Sequence, residues 1–164
     1  MRLFLSILIM LLSFSCNNVE KENNVIDSMG FDIDVLKKSI ILNGDVSAYE
    51  ILSTKFIKRE KYLDILPLSF VMAIEHNHSE AYYDVFYFLY NSNSNLCVDY
   101  DLSCLDAQTK KLALKYLKLG IDNGDEACSN VVLDFYDEGK YYPVKEIYSD
   151  VKLINMAKLN VNKL

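Results

Sequence analysis

Cysteines are the side chains best suited to covalent chemistry in this sequence, which has four of them. Cys97 and Cys104 bracket a segment rich in Asn, Ser and Asp. In an oxidising compartment these two could form a disulfide, which would stabilise the fold by roughly 2–3 kcal/mol for so short a loop. Cys128 would then be a small core residue, or would instead be the partner of Cys97 or Cys104.

The segment between those cysteines also resembles part of a calcium loop. Asp99, Asp101 and Ser103 alternate as the first ligands of such a loop do. The pattern then requires glycine at its sixth position and glutamate at its twelfth. Cys104 and Lys110 stand there instead. We therefore expect no calcium site in this segment.

The remaining ionisable groups do not form a catalytic pattern. His76 and His78 flank one residue at a predicted turn, but a zinc site needs a third ligand, so a solvated turn is the expectation. Asp134, Asp137 and Glu138 surround a predicted helix end and should be solvated. The sequence has no glycine-rich phosphate loop and no nucleophile motif. We expect no metal, no cofactor and no catalysis.

Tyrosines are the better candidates for a binding surface. The chain has 12 Tyr and no Trp, and tyrosine is enriched where proteins bind one another. Candidate partner-binding residues form two groups, Tyr82, Tyr83, Tyr87 and Tyr90 in one and Tyr136, Tyr141 and Tyr142 in the other. The alternative is that these rings pack between helices and keep only the hydroxyl at the edge.

The hydrophobic pattern predicts helices that carry these residues. Residues 110–143 indicate a helix, a glycine turn, a second helix and a glycine stop. The first helix has one apolar stripe and an opposite face of four lysines, namely Lys110, Lys111, Lys115 and Lys118. Asp106 is expected to cap its start. Asn123 and Gly124 tolerate the left-handed conformation that ends a helix.

Further helices are predicted over residues 33–42, 46–58, 62–76, 79–90 and 143–160, and one long loop over residues 91–105. Pro67 should interrupt the third helix because proline lacks a backbone donor. Residues 79–90 are apolar nearly all round, which fits a helix buried on both sides or a β-strand. The final helix should place one stripe inward, formed by Val144, Ile147, Tyr148, Val151 and Ile154.

Three alanines repeat a common pattern. Ala48, Ala81 and Ala127 are each followed by bulky apolar residues four and eight positions later. The alanines are 33 and 46 residues apart. The shorter spacing fits a two-helix repeat of roughly 34 residues, and the longer one places an insertion at residues 91–105. The register favours helix over strand for residues 79–90 and puts Ala127 at a helix crossing.

This pattern resembles the Sel-like repeats, which are related to tetratricopeptide repeats. The resemblance is strongest over residues 107–160, at Lys111, Ala113, Tyr116, Gly120, Gly124, Ala127, Tyr136 and Gly139. Leu119 and Gly120 stand where the family has paired alanines, and Asn77 replaces a closing glycine. The resemblance implies a short α-solenoid of about three helix-turn-helix repeats. An unrelated helical bundle is the alternative.

The amino terminus has the pattern of an export signal. Residues 1–15 contain a basic residue, an apolar run over residues 3–12, and small residues at Ser13 and Ser15. The run is shorter than the roughly 20 residues of a bilayer crossing. Cys16 then resembles the acceptor of a bacterial lipoprotein signal, which implies a lipid anchor. The alternative is ordinary cleavage and a soluble exported protein.

The rest of the chain divides into a tether and one domain. Residues 16–30 hold the lipidated cysteine and a polar flexible segment, and residues 31–164 are long enough for one helical domain. The formal net charge of −6 argues against a nucleic-acid surface, which needs a basic face. That charge is compatible with a basic protein partner but selects none.

We therefore expect a lipid-anchored module of the bacterial cell envelope, facing the periplasm or exposed at the surface, that binds an unidentified protein. The family resemblance implies scaffolding and regulatory roles. It also implies an alternative, a periplasmic immunity protein that neutralises a secreted toxic effector. A third alternative is a small cell-wall-related hydrolase. A deep polar pocket with converging ionisable groups would favour that third function.

Overall fold

A computed structural model describes residues 32–92, 102–137 and 144–162. These ranges hold eight α-helices, which are α1 Ile33–Asn43, α2 Val46–Ile57, α3 Tyr62–Ile74, α4 Ser79–Asn91, α5 Ala107–Asp122, α6 Glu126–Asp137, α7 Lys145–Tyr148 and α8 Val151–Val161. A 3-10 turn, Leu102–Cys104, precedes α5. The same ranges contain no β-strand, so the predicted all-α class is confirmed.

One compact unit, Asp34–Leu164, contains all of the described helices apart from the first residue of α1. Among these helices, none combines the length and the apolar character that a membrane crossing requires. The predicted export signal and tether, residues 1–30 with Cys16, lie outside the described residues.

Helix α4 lies between α3 and α5, and it packs extensively on both. Its sequence is apolar nearly all round, and its buried residues are Ala81, Tyr82, Val85, Phe86, Phe88 and Leu89. A helix with neighbours on two sides can bury such a surface. The β-strand alternative for residues 79–90 is therefore wrong. Beyond α5, helix α6 packs chiefly on α8, and the short α7 contacts both.

Four turns between helices contain a residue with a left-handed φ angle. One contains Glu60, at 55°, before α3, and the other three precede α2, α4 and α6. Gly44, Asn77 and Gly124 have φ angles of 62°, 52° and 81°. This left-handed region favours glycine, and asparagine is among the few other residues that enter it readily. Asn77 thus supplies the conformation of the glycine that it replaces in the sequence pattern.

The residues after the turns into α2, α4 and α6 correct the predicted register of the third repeat copy. The third residue of the helix that follows each of these three turns is Ala48, Ala81 or Cys128, and all three are buried. Ala127 is only half-buried. The helix crossing in α6 is therefore occupied by Cys128, one residue later than the alanine pattern predicts.

Two further predictions about helices are wrong. Helix α3 runs from Tyr62 to Ile74 without interruption, with Pro67 inside it. The expected final helix over residues 143–160 is instead two helices, because the Asp150 carboxylate accepts a hydrogen bond of 3.0 Å from the Leu153 backbone and so starts α8. Val151, which was placed on the inward stripe, is 65% exposed.

The remaining members of that stripe agree with the pattern in part. Val144, Ile147 and Ile154 are buried, while the Tyr148 side chain lies outside the described residues. At the start of α5 the predicted cap is confirmed, since Asp106 Oδ1 accepts hydrogen bonds from the Gln108 and Thr109 backbones. The capping residue thus predicts where α5 starts, whereas hydrophobic spacing alone does not predict where α8 starts.

Candidate functional site

A polar cleft of about 670 Å³ opens between the middle of α2, the start of α4 and the start of α6. We call it the acidic cleft. Five carboxylates line it, from Glu50, Glu80, Asp84, Asp125 and Glu126, and no lysine or arginine does. Glu80 and Asp84 are four residues apart on α4, which places them on one face of that helix.

A buried hydrogen-bond network forms the floor of the acidic cleft. The Tyr49 hydroxyl lies 2.6 Å from Asp84 Oδ2 and 2.8 Å from Ser69 Oγ. Tyr49 is 2% exposed and Ser69 is fully buried. A hydroxyl has one proton, and a carboxylate is the stronger acceptor. Tyr49 therefore donates to Asp84, and the Ser69 hydroxyl is left to donate to Tyr49.

This environment changes how readily Asp84 ionises. The pKa of Asp84 is raised to about 6. Burial is the largest cause and the negative charges of Glu80 and Asp125 add to it, while the Tyr49 hydrogen bond and His78 act in the opposite direction. Burial and the Asp84 charge also raise the pKa of Tyr49 above its ordinary value. Tyr49 thus stays protonated, and Asp84 titrates near neutral pH.

His78 borders the same network. Its ring meets the Tyr49 ring edge-on at 5.9 Å between centroids. His78 Nε2 lies 3.9 Å from Glu80 Oε2, and this shielded atom forms no hydrogen bond within the described part of the chain. The 3.9 Å separation permits charge attraction but is too long for a hydrogen bond. His78 therefore packs against the cleft floor.

His76 also differs from the expected solvated turn. Its Nε2 lies 3.2 Å from the Ile41 carbonyl oxygen, and a Cβ at Gly44 would approach its ring to 2.6 Å. Both histidines are half-buried, so this turn is less solvated than the sequence predicts. The described residues contain no group of three or more side chains able to hold a metal ion.

The third wall of the acidic cleft is the start of α6. The Asp125 carboxylate accepts a hydrogen bond from the Cys128 backbone, and Asp125 is 4% exposed. Cys128 is a buried free thiol, and burial raises its pKa well above the ordinary value. A Cβ added at Gly120 would lie 2.3 Å from Cys128 Sγ, so α5 and α6 meet here at close range.

Of the two cysteines that bracket the predicted loop, Cys104 is described and Cys97 is not. Cys104 is disulfide-bonded. Its partner lies outside the described residues, because Cys128 is free. The pairing of Cys104 with Cys97 stays a prediction. Asp99 and Asp101 lie in the same undescribed segment, residues 93–101.

The structure distributes the candidate tyrosines unequally. Tyr83 lines the acidic cleft and stacks on Tyr87 at 5.8 Å, and Tyr87 meets Tyr62 edge-on at 5.9 Å. Tyr82 is 3% exposed, so it is a packing residue. Tyr90 is half-buried and stacks on Phe86.

In the second tyrosine group only Tyr136 is described. It is 38% exposed, and Lys158 Nζ lies 5.3 Å from its ring centroid. Tyr141 and Tyr142 lie outside the described residues, as do Glu138 and the side chain of Asp137. Asp134 is exposed. Of the described candidate tyrosines, Tyr83 lines the acidic cleft and Tyr136 does not.

Sequence reasoning missed Tyr49 and Asp84, which are the centre of the site. One signal was available for Asp84. It is the single charged residue in the run AYYDVFYFLY, and a carboxylate in a helix buried on both sides needs a partner. No comparable signal identifies Tyr49, because its partner is 35 residues away.

Comparisons of the chain with protein-family models, with curated proteins and with solved structures give no match in any of the three.

Proposed function

We propose that this protein is an exported, lipid-anchored helical-repeat module that binds another protein in the bacterial cell envelope through its acidic cleft. The repeat architecture is supported by three left-handed turns that each precede a helix with a buried small residue. The anchor is supported by the signal-like residues 1–15 followed by Cys16.

The acidic cleft is the observation that carries the binding role. It combines five carboxylates with the half-buried Tyr83, and no lysine or arginine lines it. Carboxylates form charge-assisted hydrogen bonds with arginine and lysine, and aromatic faces attract the same cations. The partner that fits is a protein that presents a basic segment, with arginine at the centre of the contact.

The experiment is capture of envelope proteins on the immobilised full chain, followed by a charge-neutralising test. Glu50→Gln with Glu126→Gln removes two exposed charges from the mouth of the cleft. The matched control, Glu75→Gln with Asp122→Asn, removes two exposed charges elsewhere. We expect one stoichiometric basic partner that the cleft variant releases and the control retains.

Equal retention by both variants, or no partner at all, would contradict this proposal. If the captured partner were a toxin encoded beside this protein, the specific role of the binding module would be that of an immunity protein. Tyr83→Ala provides an independent measure, because it removes an aromatic contact without changing charge.

A second candidate, a small cell-wall-related hydrolase, is favoured by one observation. A carboxyl group with a pKa of about 6 can act as a general acid near neutral pH. The Glu80 carboxylate lies beside it on α4, and the Asp125 carboxylate belongs to another wall of the cleft; both charges act on Asp84. Release of soluble fragments from purified cell wall at pH 5, lost in Asp84→Asn, would support this candidate over the binding module.

A further inference from the structure

A second groove lies on the outer surface of α5, next to α7. It has a volume of about 570 Å³ and a mostly apolar lining, which includes Ala107, Leu114 and Leu119. Four lysines line it, Lys110, Lys111, Lys115 and Lys118, with Glu146 as the one acid. We call it the lysine groove. It shares no lining residue with the acidic cleft.

Two of the four lysines are neutralised within the fold. Lys118 Nζ lies 3.0 Å from Asp150 Oδ2, and Lys110 Nζ lies 3.9 Å from Glu146 Oε1. Lys111 and Lys115 are exposed, and neither has an ion pair among the described residues. They are four residues apart, so their ammonium groups extend from one face of α5.

The charge of this helix is opposite to that of the whole protein. Between Ala107 and Ile121, α5 has four lysines and no acid, whereas the formal net charge of the chain is −6. Lysine stems can cover an apolar floor while their ammonium groups reach outward. Each lysine near an anionic membrane surface is attracted to it by about 1 kcal/mol.

We propose that the lysine groove docks the domain on a membrane surface rich in anionic phospholipids. Lys111 and Lys115 contact the headgroup phosphates, and the exposed Ala107 and half-buried Leu119 lie against the apolar carbons beneath them. An acidic protein is repelled by such a surface on most of its faces, so this groove sets the orientation of the domain. The inference does not depend on a lipid at Cys16.

The test is flotation of the exported form, residues 16–164, with lipid vesicles. Every protein carries Cys16→Ser, so that neither an acyl chain nor the apolar run over residues 3–12 contributes. One vesicle population is phosphatidylcholine, and the other is phosphatidylcholine mixed with phosphatidylglycerol. We expect the chain to partition preferentially to the anionic vesicles. Lys111→Gln with Lys115→Gln should reduce that partitioning about 25-fold, since each lysine contributes about fivefold.

A matched control separates the groove from net charge. Lys38→Gln with Lys152→Gln removes the same two charges from exposed positions outside the groove and should leave most of the binding. Equal losses in the two double variants would overturn the proposal. So would equal binding to both vesicle types, because the lysines would then give no preference for anionic headgroups.

Inorganic phosphate distinguishes a lipid surface from a simple anion site. At the same phosphorus concentration as the vesicles, phosphate should leave the wild-type partitioning unchanged, because it offers nothing to the apolar floor. Full displacement by phosphate would overturn the lipid assignment. Circular dichroism of each variant verifies that the helices are intact, since both lysines are exposed and their loss should not unfold α5.

Discussion

The Tyr49 hydroxyl on α2 donates a hydrogen bond of 2.6 Å to Asp84 Oδ2 on α4. The two residues are 35 positions apart in the chain, and their bond joins two walls of the acidic cleft. Ser69 on α3 extends the network to a third helix, with its Oγ 2.8 Å from the same hydroxyl. A single tyrosine thus connects α2, α3 and α4, and two of these helices are walls of the cleft.

Replacing Asp84 should change how stability depends on pH. The folded-state pKa of Asp84 is about 6 against an ordinary value of 3.8. The folded protein thus holds this proton more tightly than the unfolded chain. The resulting stabilisation is fully present below about pH 4 and is lost as pH rises through 6. Asp84→Asn cannot ionise and should be more stable than the wild type at pH 7, by about 1–3 kcal/mol.

Urea unfolding from pH 4 to pH 8 measures this effect. The wild type should lose stability between pH 4 and pH 6 relative to Asp84→Asn, while the exposed control Glu75→Gln should follow the wild type. Parallel profiles for the wild type and Asp84→Asn would show that the fold does not raise the pKa of the half-buried Asp84.

Removing the Tyr49 hydroxyl should have the opposite effect on stability. Tyr49→Phe leaves the buried Asp84 carboxylate without its donor, which should cost about 1–3 kcal/mol at pH 7. The same bond opposes the rise in the pKa of Asp84, so its loss should move the pH transition upward. A double-mutant cycle with Asp84→Asn measures the coupling, and additive effects would contradict a direct bond.

The sequence predicted features that depend on near neighbours. The Asp106 cap lies three residues from the group it bonds, the left-handed turn at Gly124 depends on one residue, and the helical period of α5 is continuous. Each requires only a few adjacent residues. The bond between Tyr49 and Asp84 depends on how separate helices are placed, which no local pattern contains.

The errors have related causes. Residues 79–90 are apolar on every side, so periodicity could not distinguish the cleft residue Tyr83 from the buried Tyr82. The apolar spacing continues across Asp150 and therefore predicts a single helix. In the structure Asp150 caps α8, so the segment forms two helices. In α6, the alanine pattern predicts Ala127 at the crossing with α5. Cys128 is also a small residue, and it is the one that is buried there.

The division between α7 and α8 can be tested at Asp150. Its carboxylate accepts from the Leu153 backbone and also lies 3.0 Å from Lys118 Nζ. Asp150→Ala should destabilise the protein by about 0.5–2 kcal/mol through loss of the cap. Asp150→Asn retains a capping oxygen and loses only the partly exposed ion pair, which should cost less than about 1 kcal/mol. Equal losses in thermal unfolding would argue against the cap.

The proposed anchor can be tested by metabolic labelling. Radiolabelled palmitate should enter the wild-type chain and not Cys16→Ser, because the lipid is attached through that thiol. Cys128→Ala is the control for an effect of removing any cysteine, and it should label as the wild type does. Equal label in the wild type and in Cys16→Ser would remove the anchor from the proposal.

The close contact between Gly120 and Cys128 gives the sharpest test of the helix register. A Cβ at position 120 would lie 2.3 Å from Cys128 Sγ and 3.1 Å from Tyr82 Cβ. Gly120→Ala should therefore destabilise the protein by about 1–3 kcal/mol through overpacking, despite the better helix propensity of alanine.

Cys128→Ala should relieve that clash, because it removes the sulfur and gives α6 the small residue that α2 and α4 have at Ala48 and Ala81. The double variant should then be more stable than Gly120→Ala alone. Ala127→Leu is the contrasting change, since Ala127 is half-buried at the cleft and should tolerate a larger side chain. If Ala127→Leu proved the more destabilising change in thermal unfolding, the crossing would belong to Ala127 and the register given by the alanines would be restored.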